Sequence, residues 1–150
     1  MAKKPKHKVV PALKQIHTEK KPVVGSMPDW GKFKPAWQIS KLEMCDPFGW
    51  HNLDKAKLDD IRTKLSQFES MTIIEIFVKG KHHHHSIPVE DLEAPAKKRL
   101  AELNLPDVEE LHRLRLTGKE RVWGILAQNV IQLLWWDPDH EVCLSDKPNT

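Results

Sequence analysis

Three arginines and one histidine near the C-terminal end of the chain have residue types and spacing suited to phosphodiester cleavage. Arg113, Arg115 and Arg121 lie on two successive predicted strands, and His140 begins the last one. RNA can be cut by its own 2′-hydroxyl when a titratable group moves the proton and fixed positive charge faces the phosphoryl oxygens. Imidazole and clustered guanidinium groups provide both without a metal ion, so we expect a basic, RNA-contacting face if these side chains converge. The alternative is that each arginine is a solvated partner of the many Asp and Glu residues.

The sheet that would carry these side chains covers residues 111–145. Three turn signals divide it into four short antiparallel strands; they lie at residues 117–119, 127–129 and 137–139. In the first strand two leucines share one face, and Arg113 and Arg115 share the other. The third strand, residues 130–136, is apolar on both faces apart from one glutamine, which predicts a central strand covered on both sides.

Before this sheet, the sequence predicts one strand and several helices. The strand falls within residues 37–45, and Asn52 is placed to cap the helix that follows. That helix is marked by apolar residues at helical spacing: Leu58, Ile61, Leu65 and Phe68. Residues 70–77 fit either a short helix that opens with a capping box or a strand, and we predict the helix. Residues 89–103 fit another helix, with Pro95 either in its first turn or at a kink. The order predicts an α+β domain with its helices on one side of a C-terminal antiparallel sheet of about four strands.

Charge divides the chain into a basic arm, residues 1–36, and a domain, residues 37–150. The arm holds nine lysines against two acidic residues, together with five prolines. The formal net charge of the whole chain is +3, so the arm carries +7 and the domain −4. Such a segment buries too little apolar surface to fold alone, and its charge suits a polyanion such as nucleic acid. A solubilising tail would have the same composition.

Length and motif content exclude several classes of protein. A chain of 150 residues fits one domain with a single core. No apolar run approaches the ~20 residues that a membrane span needs, and the first residues contain no apolar signal segment. Cys45 and Cys143 form no metal-binding or disulfide pattern, so we expect a reduced, cytoplasmic protein. The sequence has no Gly-rich phosphate loop, GxSxG elbow, HExxH helix or dinucleotide fingerprint, which leaves the corresponding enzyme classes without support.

A run of four histidines, residues 82–85, lies in a predicted loop between two structured segments. Imidazole is a ligand for zinc, copper and nickel, but adjacent histidines in one loop cannot all reach one ion. No second ligand cluster is close in sequence, and Cys143 with His140 would complete a site only if the fold brings them to the loop. We therefore predict neither a metal nor a cofactor, and a metal-binding protein is the third hypothesis. A structural or RNA-contacting role is favoured for one or two of these residues. We assign His84 and His85 to RNA binding, together with Lys119 and Arg113.

Four motifs together resemble a known family. They are RLRLTGKERVWGI at residues 113–125, NVIQLLWWDPDHEVC at 129–143, DPFGW at 46–50 and KHHHHSIP at 81–88. The pattern resembles a family of small bacterial and prophage proteins that look like relatives of the RelE/ParE/YoeB toxin superfamily. That resemblance implies a RelE-like fold with a leading strand, a helical hairpin and a terminal antiparallel sheet.

The resemblance also implies a function and a set of site residues. It implies the toxin of a toxin–antitoxin system, an mRNA endonuclease that acts free or on the ribosome and is held inactive by a cognate antitoxin. Arg121 matches the arginine at the scissile phosphate, and His140 is the nearest candidate for the histidine or tyrosine of the C-terminal strand, as acid or base. Arg115 and Lys119 would be accessory phosphate ligands. The chain departs from the pattern in having no tyrosine, a basic arm and a long histidine loop.

A second hypothesis of a different class is a non-catalytic module. In it, the arm grips nucleic acid and the Trp-rich sheet docks a protein partner. The two hypotheses differ in what remains after the arm is deleted, because an enzyme should keep some cutting whereas a binding module should lose its salt-dependent affinity.

Overall fold

The computed structural model describes residues 29–105 and 107–144, so the prediction of a free basic arm over residues 1–28 lies outside the described part. Five strands form one sheet: β1 (Ala36–Gln38), β2 (His85–Pro88), β3 (Glu110–Arg115), β4 (Arg121–Ala127) and β5 (Val130–Asp137). Their order across the sheet is β1-β5-β4-β3-β2. β1 runs parallel to β5 and all other neighbours are antiparallel. The predicted α+β class is confirmed, with a mixed sheet of five strands rather than an antiparallel one of about four.

Two α-helices and one π-helical segment connect the strands. They are α1 (Lys55–Phe68), the π-helix (Ile74–Lys79) and α2 (Ala94–Glu102). Asp54, not Asn52, caps α1, because its side chain accepts a hydrogen bond from the Lys57 amide. The capping box predicted at Thr72 and Glu75 is confirmed, since each side chain bonds the other residue's amide. Pro95 lies in the first turn of α2 as expected.

The helices pack on both faces of the sheet, which corrects the prediction that they share one side. One core contains Leu92, Ala96 and Leu100 of the α2 region against Trp123 and Trp135. The other contains residues of α1 and the π-helix against the opposite sheet face: Ile61, Leu65, Phe68, Ile76, Leu114, Val122 and Ile131. The physical reason is that β3, β4 and β5 each bear apolar side chains on both faces, and both faces must be covered. We call them the α2 face and the α1 face.

A β-bulge in β5 explains how two consecutive residues of this strand, Leu134 and Trp135, enter the same core. Trp123 pairs with Trp135 and Gly124 pairs with Leu133, so Leu134 is the extra residue. The bulged carbonyl of Leu134 accepts hydrogen bonds from the Glu43 amide at 2.9 Å and from the Trp50 indole at 3.2 Å. The loop between β1 and α1 is thereby attached to the centre of the sheet.

The predicted fourth C-terminal strand is wrong. Residues 138–144 contain no strand, and His140 has a left-handed backbone with φ of 60°. Val142 and Cys143 are both buried in the α2-face core, whereas Leu144 is exposed. Neighbouring residues of a strand face opposite sides of the sheet, whereas Val142 and Cys143 lie in the same core. This segment therefore covers the α2 face of the sheet instead of adding a strand to it.

Residues 29–36, which the sequence analysis assigned to the arm, contact the domain. Asp29–Lys32 forms one 3₁₀ turn, and the Phe33 carbonyl accepts a hydrogen bond from the Ile73 amide. The Lys34 carbonyl accepts another from Asn129, beside the start of β1. Within residues 29–105 and 107–144, none of the helices has the length and apolarity needed to cross a bilayer.

Candidate functional site

The pairing register places four basic residues on the α2 face, at the end of the sheet where β3 and β4 meet their turn. Arg113 of β3 is opposite His85 of β2 and Trp123 of β4, while Arg115 is opposite Arg121. Directly opposed residues in antiparallel strands project from the same face. We call His85, Arg113, Arg115, Arg121 and the adjoining His140 the basic cluster.

His140 reaches this face from the loop after β5. Its Nε2 lies 3.2 Å from Nη1 of Arg113, whose guanidinium also lies 5.8 Å from the centre of the Trp123 ring. Arg113 is only 2% exposed, whereas His140 is half-buried above it. The sheet therefore brings together Arg113 and His140 even though the predicted strand for His140 does not exist.

Asp137 fixes the loop that carries His140. This carboxylate is 1% exposed and accepts hydrogen bonds from the amides of Glu141 and Val142 and from the Trp123 indole. It also lies opposite Arg121 in the strand register. A buried carboxylate with three donors is a rigid anchor, so the position of His140 is set by the end of β5.

The contact between Arg113 and His140 determines the tautomer of the imidazole. A guanidinium has five N–H donors, no acceptor and a proton that it does not lose. Nε2 of His140 must therefore be the acceptor, and the ring proton of the neutral form lies on Nδ1. In this state His140 is a hydrogen-bond donor through Nδ1, as a phosphoryl oxygen requires.

Arg121 holds the turn between β3 and β4. It is 5% exposed, and its Nη1 donates to the carbonyls of Gly118 at 2.7 Å and Glu120 at 3.1 Å. The neighbouring Lys119 is exposed at the tip of this turn. The residue that the resemblance matches to the scissile phosphate is thus buried and bonded to the backbone, while the accessory lysine faces solvent.

The same turn is attached to α1 by Glu120. Its carboxylate bonds Lys57 at 2.6 Å and the Thr117 hydroxyl at 2.7 Å. Although partial burial opposes it, these two hydrogen bonds and the Lys57 charge lower the pKa of Glu120. The turn is therefore held from two sides, by Arg121 and by α1.

Arg115 is the exposed arginine of the cluster, and its backbone is held by His84. The Arg115 amide donates to Nδ1 of His84 at 3.2 Å, just beyond the last residue pair of β2 and β3. His84 packs edge-on against Phe68 of α1, with ring centres 5.0 Å apart. Burial, followed by the charges of His83, His85, Arg115 and Arg121, lowers the pKa of His84 to about 4. His84 is thus a neutral acceptor on the α1 side, and the structure separates it from His85.

No group of three or more His, Cys, Asp or Glu side chains among the described residues is arranged to hold a metal ion. Sequence reasoning missed Asp137 and Trp123 as parts of the site. Asp137 was interpreted only as a turn residue, and its signal was an acidic residue directly after an apolar strand. Nothing in the sequence context of Trp123 indicates that an arginine stacks on its ring.

Comparison of the chain with protein-family models, with curated proteins and with solved structures gave no match in any of the three. The function is therefore argued from the geometry of the basic cluster.

Proposed function

We propose that this protein is a metal-independent endoribonuclease that cuts RNA at the basic cluster. The observation that carries the proposal is the contact between Arg113 and His140 on a face that also presents Arg115. Guanidinium groups provide fixed positive charge, and an imidazole donor provides an oriented N–H for charge that develops on phosphoryl oxygens. A RelE-like toxin fold is part of the same proposal, and it is supported by the sequence resemblance and by the α+β architecture.

In the proposed reaction, the 2′-hydroxyl attacks the adjacent phosphorus and the P–O5′ bond breaks. The products are a 2′,3′-cyclic phosphate and a 5′-hydroxyl. Arg115 and Lys119, which are exposed, bind phosphate oxygens of the substrate. His140 donates from Nδ1 to the phosphoryl oxygen that gains charge, while Arg113 holds its ring in the donor tautomer.

This assignment moves the main phosphate contact from Arg121 to Arg115. A buried guanidinium that already donates to two carbonyls would have to break those bonds to reach a substrate. Arg115 has an exposed side chain on the same face, opposite Arg121. Arg121 supports the site by shaping the turn on which Lys119 lies.

The test is inducible expression in bacteria followed by mapping of new RNA ends. The wild-type chain should generate fragments with 5′-hydroxyl and 2′,3′-cyclic phosphate ends, and His140→Ala should reduce cutting roughly 10²-fold or more. His51→Gln is the matched control, because His51 pairs with Asp46 in a different part of the fold. Equal cutting by wild type and His140→Ala, at equal soluble protein, would contradict the proposal.

The partner expected for such a nuclease is an antitoxin that covers the basic cluster. Because the cluster is cationic, we propose an acidic partner segment, and mRNA free or on the ribosome as the substrate. Co-expression of the neighbouring gene should suppress RNA cutting, and copurification should protect Arg115 from chemical modification of its guanidinium. If RNA cutting is suppressed but Arg115 is still modified, the antitoxin binds a surface other than the basic cluster.

The second candidate is a non-catalytic nucleic-acid-binding module. The observation that favours it is the burial of Arg113 and Arg121, which leaves only part of the cluster's charge facing solvent. A binding module would retain the RNA affinity of the wild type in His140→Ala and would generate no new RNA ends. The expression experiment therefore distinguishes the two candidates by whether new RNA ends are formed, and not by how tightly the protein binds RNA.

A further inference from the structure

The proposed ribonuclease still needs a group that removes the 2′-hydroxyl proton. In the resting structure Nε2 of His140 accepts a hydrogen bond from Arg113, so its basic nitrogen is occupied. General-base catalysis needs an imidazole within hydrogen-bond reach of that hydroxyl. A different residue must have this role if His140 acts as a donor.

His85 is placed on the same face as the rest of the basic cluster. It is opposite Arg113 in the antiparallel register of β2 and β3, and such pairs have Cβ atoms roughly 4.5–5.5 Å apart on one face. Ile87, two residues further along β2, is buried in the α2-face core together with its partner Leu111, which confirms the orientation. His85 and His140 thus flank the Arg113 side chain from neighbouring positions.

The other histidines close to β3 do not fit this role. His84 lies on the α1 side against Phe68, and its Nδ1 already accepts the Arg115 amide. His112 is 8% exposed and packs edge-on against Phe77 of the π-helix on that same face. His85, by contrast, is half-buried at the start of an edge strand. Of His84, His85 and His112, only His85 lies on the same face as Arg113 and is accessible from solvent.

We propose that His85 is the general base of the RNA cleavage reaction, an inference that rests on the proposed endoribonuclease function. An imidazole nitrogen of His85 takes the 2′-hydroxyl proton as the 2′-oxygen forms its bond to phosphorus. The electron pair of the P–O5′ bond passes to the 5′-oxygen, which takes a proton from solvent water. His85 then returns its proton to the hydroxide so formed. Arg115 and His140 bind the phosphoryl oxygens, and no oxidant or metal enters the balance.

The test compares His85→Gly, His85→Asn and His82→Gly in the full 150-residue chain. The probe is a mixed-sequence single-stranded RNA, presented free and as message in the decoding site of purified bacterial ribosomes. Both His85 variants should cut roughly 10²- to 10⁴-fold more slowly than wild type, as expected for loss of a general base. His82 is exposed in the preceding turn, so His82→Gly should cut at the wild-type rate.

Chemical rescue separates a base from a structural residue. Added imidazole should restore His85→Gly by at least about tenfold, since it supplies the missing proton acceptor. The compound 4-nitroimidazole has a similar shape but is far less basic, and it should restore nothing. Urea unfolding of each variant shows that the domain remains folded during the assay.

The outcomes distinguish the inference from the function on which it rests. If wild type generates no cyclic-phosphate ends on either substrate, the proposed function fails and this inference fails with it. If wild type cuts but His85→Asn cuts equally well, or both imidazoles rescue His85→Gly equally, His85 is not the base while the nuclease assignment stands.

Discussion

The three arginines of the basic cluster have the same chemistry but different surroundings. Arg115 is exposed, Arg113 is stacked on Trp123 and bonded to His140, and Arg121 is bonded to two carbonyls of its own turn. A buried guanidinium with fixed partners contributes to stability, whereas an exposed one remains available to a ligand. The burial of each arginine side chain, and not its residue type, therefore determines whether it contributes to stability or is available to a ligand.

The substitutions Arg115→Ala and Arg121→Ala should separate these roles. Arg115→Ala should weaken RNA binding about tenfold, the effect of removing one charge-assisted hydrogen bond, and leave the urea midpoint unchanged. Arg121→Ala should lower the free energy of unfolding by about 1.5–3 kcal/mol, because two carbonyls lose a charged donor. Equilibrium RNA binding and urea titration measure the two effects. An Arg121→Ala protein of normal stability that no longer cleaves RNA would support Arg121 at the scissile phosphate instead.

At the level of elements, one ion pair joins α2 to the loop that supports the bulge of β5. Arg99 of α2 donates to both carboxylate oxygens of Glu43 at 2.7 and 2.6 Å, and Trp135 donates to one of them at 3.1 Å. Although burial opposes it, hydrogen bonds from Arg99 and Trp135 lower the pKa of Glu43. The same pair raises the pKa of Arg99. Glu43 also bonds Leu134 through its amide, so this pair fixes α2 against the centre of the sheet.

Arg99→Met should therefore be strongly destabilising. It leaves the Glu43 carboxylate, whose side chain is 4% exposed, without its cation, and such a change costs about 3–5 kcal/mol. Urea unfolding at neutral pH measures the change in the free energy of unfolding. The control is Arg62→Met, because Arg62 is 77% exposed and meets Asp59 at 3.5 Å, a pair worth at most about 1 kcal/mol. Similar decreases in the free energy of unfolding in both variants would mean that the buried Arg99–Glu43 pair contributes no more to stability than the exposed Arg62–Asp59 pair.

At the scale of the whole molecule, the buried His112 and the half-buried His84 couple folding to pH. Burial lowers the pKa of His112, and burial with neighbouring charge lowers that of His84 to about 4, from an ordinary value of 6.5. Between these values the unfolded chain binds more protons than the folded one. Stability is therefore complete above about pH 6.5 and falls as the pH is lowered toward 4.

The free energy of unfolding should decrease by about 1–2 kcal/mol between pH 7 and pH 5. Urea titrations at a series of pH values measure this slope, and His84→Asn should reduce it. The carboxylates of Glu43 and Glu120, whose pKa values are also lowered, contribute only below their ordinary value of 4.5. A flat profile between pH 7 and pH 5 would contradict the assignment of neutral, buried histidines.

The basic N-terminal residues give a second prediction for the whole chain. Residues 1–28 contain seven lysines and one glutamate, and residues 29–36 contact the domain, so deletion should end at residue 28. The deletion should weaken RNA binding and reduce its salt dependence by roughly 0.7 for each phosphate that the lysines neutralise. The urea midpoint should be unchanged, and an endoribonuclease should still cut at high RNA concentration. If the wild type cuts and the folded deletion variant does not cut at any RNA concentration, cleavage itself requires residues 1–28 and this prediction is wrong.

The elements that the sequence predicted are those specified by short-range signals. The capping box at Thr72, Pro95 at the start of α2 and the tight turns around Gly118 and Gln128 each depend on residues within a few positions. The assignment of Arg113 and Arg115 to one face also came from the sequence, because side chains in a strand alternate with a period of two.

Tertiary structure decided which of these residues are buried and which are exposed. The bulge at Leu134, the coverage of both faces and the inward turn of residues 138–144 depend on contacts between distant segments. The same contacts bury Arg121, leave Arg115 exposed and place His84 and His85 on opposite sides of the sheet. The alternation of side chains along a strand is a local property, so the sequence predicts which residues share a face. Burial depends on the distant segments that pack on each face, so only the tertiary structure determines which of those residues are exposed.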